Sequence, residues 1–489
     1  MSAHPGSGWS GTPEQVHLTW GDDPARAVVV SWASPGRADR PRVRIGQRVI
    51  AAERAREEPR GGTASWAYHA LVDGLRPGAT YGYAVTADND ANAADPFSAT
   101  FTTAPDGRAA FRFTSLGDLA APGTAWAGPD GQAAWAAGAV EAFQPLFHLN
   151  NADPGCAGLS SELSAGGVSA GGISTAGLQA GAVGPAAGAQ ALRDFWNNIQ
   201  ESAANRPWLP VPGGALPGGA VSGGTVSGGT VSGGTVSGGP ERGAGSPLTR
   251  PTLPSNWANG FAGRWYAFRV GTVLFVSLSD DDAADRAPGA APAARGYSGD
   301  AQTQWLEATL AAARGAESID WIVVQRHRCG CSFAPADLGS DLGIRGDWLP
   351  LFDTYEVDLV VCGHGDGYQR TLPVRGFGTL ADAVAVAGTA DGTGRPHAVT
   401  TADSHAVTTV DSEVFDTSHG TVHLALGCGG VPGIAVFDVS PGGEAGGETG
   451  ITLRYYRAPA LDPGGEYALF DTFTLVRSRS DGRRWHPKR

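Results

Sequence analysis

The 489-residue sequence predicts an all-β sandwich followed by a larger α/β domain. Three observations predict this order. Residues 12 to 104 consist of short alternating strands with turn residues between them. From residue 109 onward, strands alternate with helical stretches. In that second part Asp118, Asp153, His327 and His364 each fall just past the carboxyl end of a predicted strand, where open α/β sheets build their sites.

The first unit reads as the strands QVHLTWG, AVVVSWAS, RVRIG, SWAYHALVDGL, TYGYAVTAD and SATFTTAP, with Trp20, Trp32, Tyr81 and Tyr83 available to fill an interior. About a hundred residues of this pattern make a fibronectin type III-like β-sandwich. Its side chains form no catalytic cluster, so packing against the next domain is its expected role.

The second unit, residues 109 to 477, opens with the strand AAFRFTSLGDLA, then the helical DGQAAWAAGAVEAF, then the strand PLFHLNNADPG. WYAFRVGTVLFVSLSDDDA, the helix DAQTQWLEATLAAARG, the strand IDWIVVQRH, the helical RGDWLPLFDTYE and the strand in VDLVVCGHGDGYQR follow. GTVHLALGCGG, IAVFDVSPG, GITLRYYRA and YALFDTFTLVRSRSDGRRW are strands completing a mixed sheet. Gly-rich insertions at 157–191 and 213–247, the latter containing VSGGTVSGGTVSGGTVSGG, and a third at about 377–411 hold too few apolar residues to pack and are expected to be flexible.

A formal net charge of -13 disfavours a nucleic-acid partner, since phosphate backbones are held by clustered Lys and Arg. It does not forbid a phosphoester substrate, because a local cation outweighs a distant field. MSAHPGSGWSGTPEQ has neither a basic start nor an apolar run, so no secretory signal is read; a cytoplasmic location is expected, or a secreted one if the true start lies upstream. No apolar run reaches membrane-spanning length, so no membrane partner is expected. Cys156, Cys329, Cys331, Cys362 and Cys428 are odd in number and scattered, which speaks for free thiols.

Two carboxylates and two imidazoles at strand ends are the donors an oxygen- and nitrogen-liganded metal site requires. Other polar motifs carry less. CGC at 329–331 lacks zinc-knuckle spacing, SDDDAAD reads as a solvated acidic turn, and GCGG is not followed by Gly-Lys-Ser or Gly-Lys-Thr. His148, His405, His419 and His423 read as structural or surface residues.

PEQVHLTWG, FRFTSLGDLA, FHLNNADPGCAGLS, NRPWLPVPGG, WYAFRVGTVLFVSLSDDD, IDWIVVQRH, LPLFDTYEVDLVVCGHGDGYQR and GTVHLALGCGG, in this order, resemble the landmarks of bacterial purple acid phosphatases. These are a branch of the calcineurin-like metallophosphoesterases. The resemblance covers nearly the whole chain outside the Gly-rich insertions. It implies a two-sheet α/β/β/α metallophosphoesterase sandwich that hydrolyses phosphoric monoesters with two metal ions bridging a hydroxide.

By that resemblance Asp118 is the aspartate of the first motif, whose closing glycine is Ala120 here, and Asp153 is the bridging aspartate of the second, preceded by Ala152 where a glycine is usual. The tyrosine ligand that colours these enzymes falls on Cys156. The third motif, usually Gly-Asn-His-Glu, is Gly213, Gly214, Ala215 and Leu216, so its metal-binding asparagine and its histidine are replaced. His327 matches the fourth motif and His364 the first histidine of the fifth, where Asp366 replaces the second metal histidine and Gly367 the catalytic one; Tyr368 and Arg370 keep the pattern.

The resemblance therefore implies a metal set of Asp118, Asp153, His327, His364, Asp366 and Cys156, holding one Fe, Zn or Mn ion, a poorer pair, or none. No catalytic acid or base is assigned. Loss of a general acid removes roughly 10² to 10⁴ in rate, so two readings follow: a weakened phosphomonoesterase acting on a small phosphoester, or a pseudophosphatase serving as a binding or scaffold module.

Overall fold

The computed structural model describes residues 11–54, 66–92, 94–118, 129–152, 185–211, 252–258, 261–282, 298–328, 346–363, 368–375, 414–427, 433–457, 466–482 and 485. The first unit is built from β1 (Glu14–Thr19), β2 (Val28–Ser34), β3 (Arg42–Ile45), β4 (Arg48–Ala51), β5 (Glu53–Arg54), β6 (Trp66–Val72), β7 (Thr80–Thr86) and β8 (Phe97–Thr102). Two four-stranded sheets, β1-β2-β6-β5 and β4-β3-β7-β8, form the expected sandwich. Trp32 stacks on Tyr68 at 5.7 Å within its core. Two of the four aromatics expected inside do something else. Trp20 packs on Phe147 of the second unit at 4.7 Å between ring centroids, and Tyr81 is only half-buried, its hydroxyl accepting the Arg76 N–H.

The second unit contains β9 (Phe111–Leu116), α1 (Pro129–Phe143), β10 (Phe147–Asn150), α2 (Pro185–Ala203), β11 (Trp208–Pro210), β12 (Tyr266–Val270), β13 (Val273–Ser277), α3 (Ala301–Gly315), β14 (Trp321–Arg326), α4 (Leu349–Thr354) and β15 (Leu359–Cys362). β16 (Tyr368–Arg370), β17 (Val414–Asp416), β18 (Val422–Leu426), β19 (Gly433–Ser440), β20 (Glu448–Arg457) and β21 (Ala468–Ser478) follow. One mixed sheet has the order β11-β10-β9-β19-β20-β21-β17, the other β12-β13-β14-β15-β18-β16. The C-terminal strands thus divide between sheets: β18 joins the second, β19 to β21 the first. Strands β13, β14, β15 and β18 run parallel and are covered on both faces, which is why their sequences are apolar runs rather than alternations.

The sheets face each other across an aromatic core in which Phe113 lies flat on Phe437 at 4.4 Å and edge-on to Phe275 at 5.1 Å. Trp135, Val140, Trp196 and Ile199 of α1 and α2 cover the first sheet; Leu306, Leu310 and Phe352 of α3 and α4 cover the second. This is the helix, sheet, sheet, helix layering expected. Helix α2 begins at Pro185, so it takes in the end of the Gly-rich stretch 157–191. It also docks the sandwich: Val16 N–H donates to Gln200 Oε1 at 2.7 Å, His17 stacks on Trp196 at 4.2 Å, and Arg193 pairs with Glu14 at 2.7 Å.

At the amino end of β15, Asp358 is wholly buried and accepts from Arg314, Arg477, Thr417 and the Ile322 N–H. Burial alone pushes its pKa up, but the two guanidiniums overcome that and hold the carboxyl below its usual range.

Candidate metal centre

The carboxyl ends of β9 and β10 in one sheet meet those of β14, β15 and β18 in the other. Beyond β9 come Gly117 and Asp118, beyond β10 Asn151, beyond β14 His327, and beyond β15 Gly363. Backbone bonds knit this rim: Asp118 N–H to Gly363 O at 2.9 Å, Gly363 N–H to His327 O at 2.9 Å, and Asn151 N–H to Leu116 O at 3.0 Å. Two glycines make the approach possible. A Cβ on Gly363 would stand 1.9 Å from the Asn151 carbonyl oxygen, and one on Gly117 2.2 Å from that of Leu426.

The knitting brings two candidate ligands from different sheets together. His327 Nδ1 lies 3.9 Å from Asp118 Oδ1, with both side chains over nine-tenths buried. The same Nδ1 lies 3.1 Å from the Asn151 carbonyl oxygen. A neutral imidazole donating Nδ1–H to that carbonyl carries its lone pair on Nε2, the tautomer and backbone-carbonyl support that metal-ligating histidines use. An acid oxygen and an oriented imidazole, held together away from solvent, fit a zinc, manganese or iron ion in donor type.

Asp153, Cys156, His364 and Asp366 lie outside the described residues, as do Gly213 to Leu216 and Cys329, Cys331 and His405. Ala152 and Gly363, which directly precede Asp153 and His364 in sequence, are both described and buried. Among the described residues no group of three or more His, Cys, Asp and Glu is placed to hold a metal.

The sequence reading of the remaining motifs is partly corrected. Asp280 and Asp282 of the acidic run are not solvated. Asp280 is 3 % exposed and faces Arg326 and the Arg328 N–H, while Asp282 bonds Ser298 and Gln302. The fixed charges opposite it had no local signature. His148 and His423 are buried inside the sheets, as expected of structural histidines, and desolvation lowers each pKa to about 3, with Arg326 adding to the effect at His423. His419 is largely exposed. Tyr368 and Arg370 both bond Asp471 of β21, at 2.7 and 2.6 Å, which gives these residues an anchoring role. Asn151 and Gly363 were missed; the only signal was their position next to strand-end candidates.

A groove of about 620 Å³ between the two units, lined by Thr100, Thr102, Arg112, Glu141, Asn205 and Arg206, lies by the amino ends of β9 and β10, opposite the rim. Its arginines are already paired, Arg112 with Asp438 and Arg206 with Glu141.

A β-sandwich followed by two facing mixed sheets, with helices outside and an acid and an imidazole at the carboxyl rim, has the architecture of a metallophosphoesterase behind an N-terminal β domain. Residues 13–104 match the family model of the purple acid phosphatase N-terminal domain. Two uncharacterized proteins of Mycobacterium tuberculosis, from strains CDC 1551 and H37Rv, are each 30% identical over 555 aligned positions that cover 98% of this chain and 92% of theirs. A purple acid phosphatase isolated from yellow lupin (Lupinus luteus) seeds superposes with a TM-score of 0.58 at 17% identity, covering 96% of this chain and 75% of the lupin one. The chain belongs to the purple acid phosphatase-like metallophosphoesterases. Among the described residues no helix is long and apolar enough to cross a membrane.

Proposed function

We propose that this protein is a metal-dependent hydrolase of small phosphoric monoesters, weakened by ligand losses, with its centre at the rim of Asp118 and His327. The observation that carries the reading is the 3.9 Å approach of Asp118 and His327 from two different sheets, with the histidine ring turned by the Asn151 carbonyl. Asp118 would supply an anionic oxygen and His327 its Nε2 to an Fe, Zn or Mn ion; by resemblance Asp153, His364, Asp366 and Cys156 would complete the shell. A bound ion of this kind acidifies water and neutralises the ester oxygens. The chain's own contribution is to hold two donors fixed before the ion arrives, in a site where burial strengthens their pull on a cation.

A second reading is favoured by one sequence observation: Gly214 stands where the family places a metal-binding asparagine, and Ala215 where it places a histidine. In this reading the fold persists as a pseudophosphatase that binds without turnover. Metal content by mass spectrometry, together with a chromogenic phosphomonoester assay in Zn²⁺, Mn²⁺ and Fe²⁺, separates the two. Turnover that Asp153→Asn abolishes supports the hydrolase. A metal-free protein with no turnover in any ion defeats it.

A further inference from the structure

We infer that Asp280 is a positioning residue for His327, an assignment that rests on the metal reading of the rim. His327 lies one residue past the end of β14, where a strand loses its ladder and its side chains lose direction. Its carbonyl is fixed by Gly363 N–H and its ring by Asn151 O. What fixes its flanks is Asp280. Oδ2 accepts the N–H of Arg328 at 2.5 Å, on one side of His327, and Oδ1 stands 3.3 Å from Nε of Arg326, on the other.

The arrangement is buried. The Arg326 side chain is fully enclosed and that of Asp280 is 3 % exposed, and the guanidinium also lies 5.8 Å over the Trp348 ring. Neighbouring residues of a strand project to opposite faces. Arg326 therefore points toward α4 while His327 points between the sheets, so one carboxylate on the helix side holds the backbone that aims an imidazole on the other. Charge-assisted bonds to a carboxylate are short and directional, which suits Oδ2 to fixing the Arg328 peptide while Oδ1 holds the Arg326 side chain by charge. Partners acting through a ligand in this way typically tune metal affinity by about 10 to 100-fold.

The test uses the full chain with Zn²⁺ as probe and reads two quantities: Zn²⁺ affinity by calorimetry, and the ¹⁵N signals of the His327 ring without metal, assigned by their loss in His327→Gln. The wild type should show one tautomer, with Nδ1 protonated and Nε2 unprotonated. Asp280→Asn should weaken Zn²⁺ by about 10 to 100-fold and replace the single tautomer by averaged signals. If Asp280→Asn fails to fold with Arg326 left enclosed, Asp280→Ala combined with Arg326→Met removes both charges and should show the same two changes. Unchanged ring signals and Zn²⁺ affinity in a folded variant overturn the assignment. Should the wild type bind no Zn²⁺, the metal reading fails, and the ring spectrum alone then upholds or overturns the positioning role.

Discussion

Replacing Gly363 by alanine tests the feature on which both the fold and the centre depend, the contact between the two sheet rims. The added methyl would meet the Asn151 carbonyl at 1.9 Å and its carbon at 2.5 Å, and both are backbone atoms that cannot rotate away. The rims must separate by about an ångström to admit it, since non-bonded carbon contacts are favourable only from ~3.5 Å. Two hydrogen bonds cross that gap: Asp118 N–H to Gly363 O, and His327 Nδ1 to Asn151 O. At about 1 kcal/mol each and about 1 to 3 kcal/mol for overpacking, the substitution should destabilise by about 3 to 5 kcal/mol. That is a large share of the ~5 to 15 kcal/mol that holds a domain together. Equilibrium urea unfolding measures it; with a slope of about 3 kcal/mol/M the midpoint should fall by roughly 1 to 2 M. The same variant should lose Zn²⁺ affinity, because separating the rims parts Asp118 from His327. A Gly363→Ala protein within about 1 kcal/mol of the wild type and binding Zn²⁺ equally well would refute the close approach of the sheets.

Asp358→Asn leaves Arg314 and Arg477 enclosed without their shared anion and should cost about 3 to 5 kcal/mol by urea unfolding. Because the native carboxyl of Asp358 is held below its usual value, its stabilisation is complete above the unfolded carboxylate pKa of about 3.9 and is lost as pH falls through the depressed native one. The variant should therefore lose that part of the acid-unfolding profile. His148 acts in a different window. Its native pKa is lowered to about 3, so between pH 3 and the unfolded value near 6.5 the unfolded chain takes up a proton that the native one refuses, and stability drops as pH falls. His148→Gln should flatten the dependence of stability on pH by up to about 1.4 kcal/mol per unit in that window, while His423, with the same lowering, retains its own share. With Cys156 at the place of the colour-giving tyrosine, an iron-loaded preparation should show no strong visible band; a purple solution would overturn that alignment.

The strands, the helices and the strand-end positions of Asp118 and His327 were legible because each rests on local pattern: apolar runs, helical spacing, and a polar residue just past a run's end. What joins them was not. Nothing in LGDLA or CGHGD tells that the glycines meet carbonyls of the facing sheet. Likewise SDDDAAD looks like any acidic turn until Arg326, on the neighbouring strand, is placed against Asp280. The start of α2 was hidden by the Gly- and Ala-rich run before it, although buried Phe195, Trp196, Ile199 and Ala203 keep a helical repeat that reveals its second half.

Asp118 and His327 sit where backbone bonds fix their direction, whereas the altered family positions, Cys156, Gly214 and Asp366, lie outside the described residues. On the proposed metal reading, a donor aimed by the sheets keeps its aim when other ligand positions are substituted, so those substitutions reduce the number of donors without spoiling the ones that remain. Fewer donors need not abolish hydrolysis. Catalytic zinc sites work with three protein ligands and an open position for water, one ion sufficing to generate the nucleophile. On the proposed reading, Asp118 and His327 with one further donor from Asp153 or His364 would reach that number, so losing ligands from a two-ion family would leave room for a single-ion hydrolase.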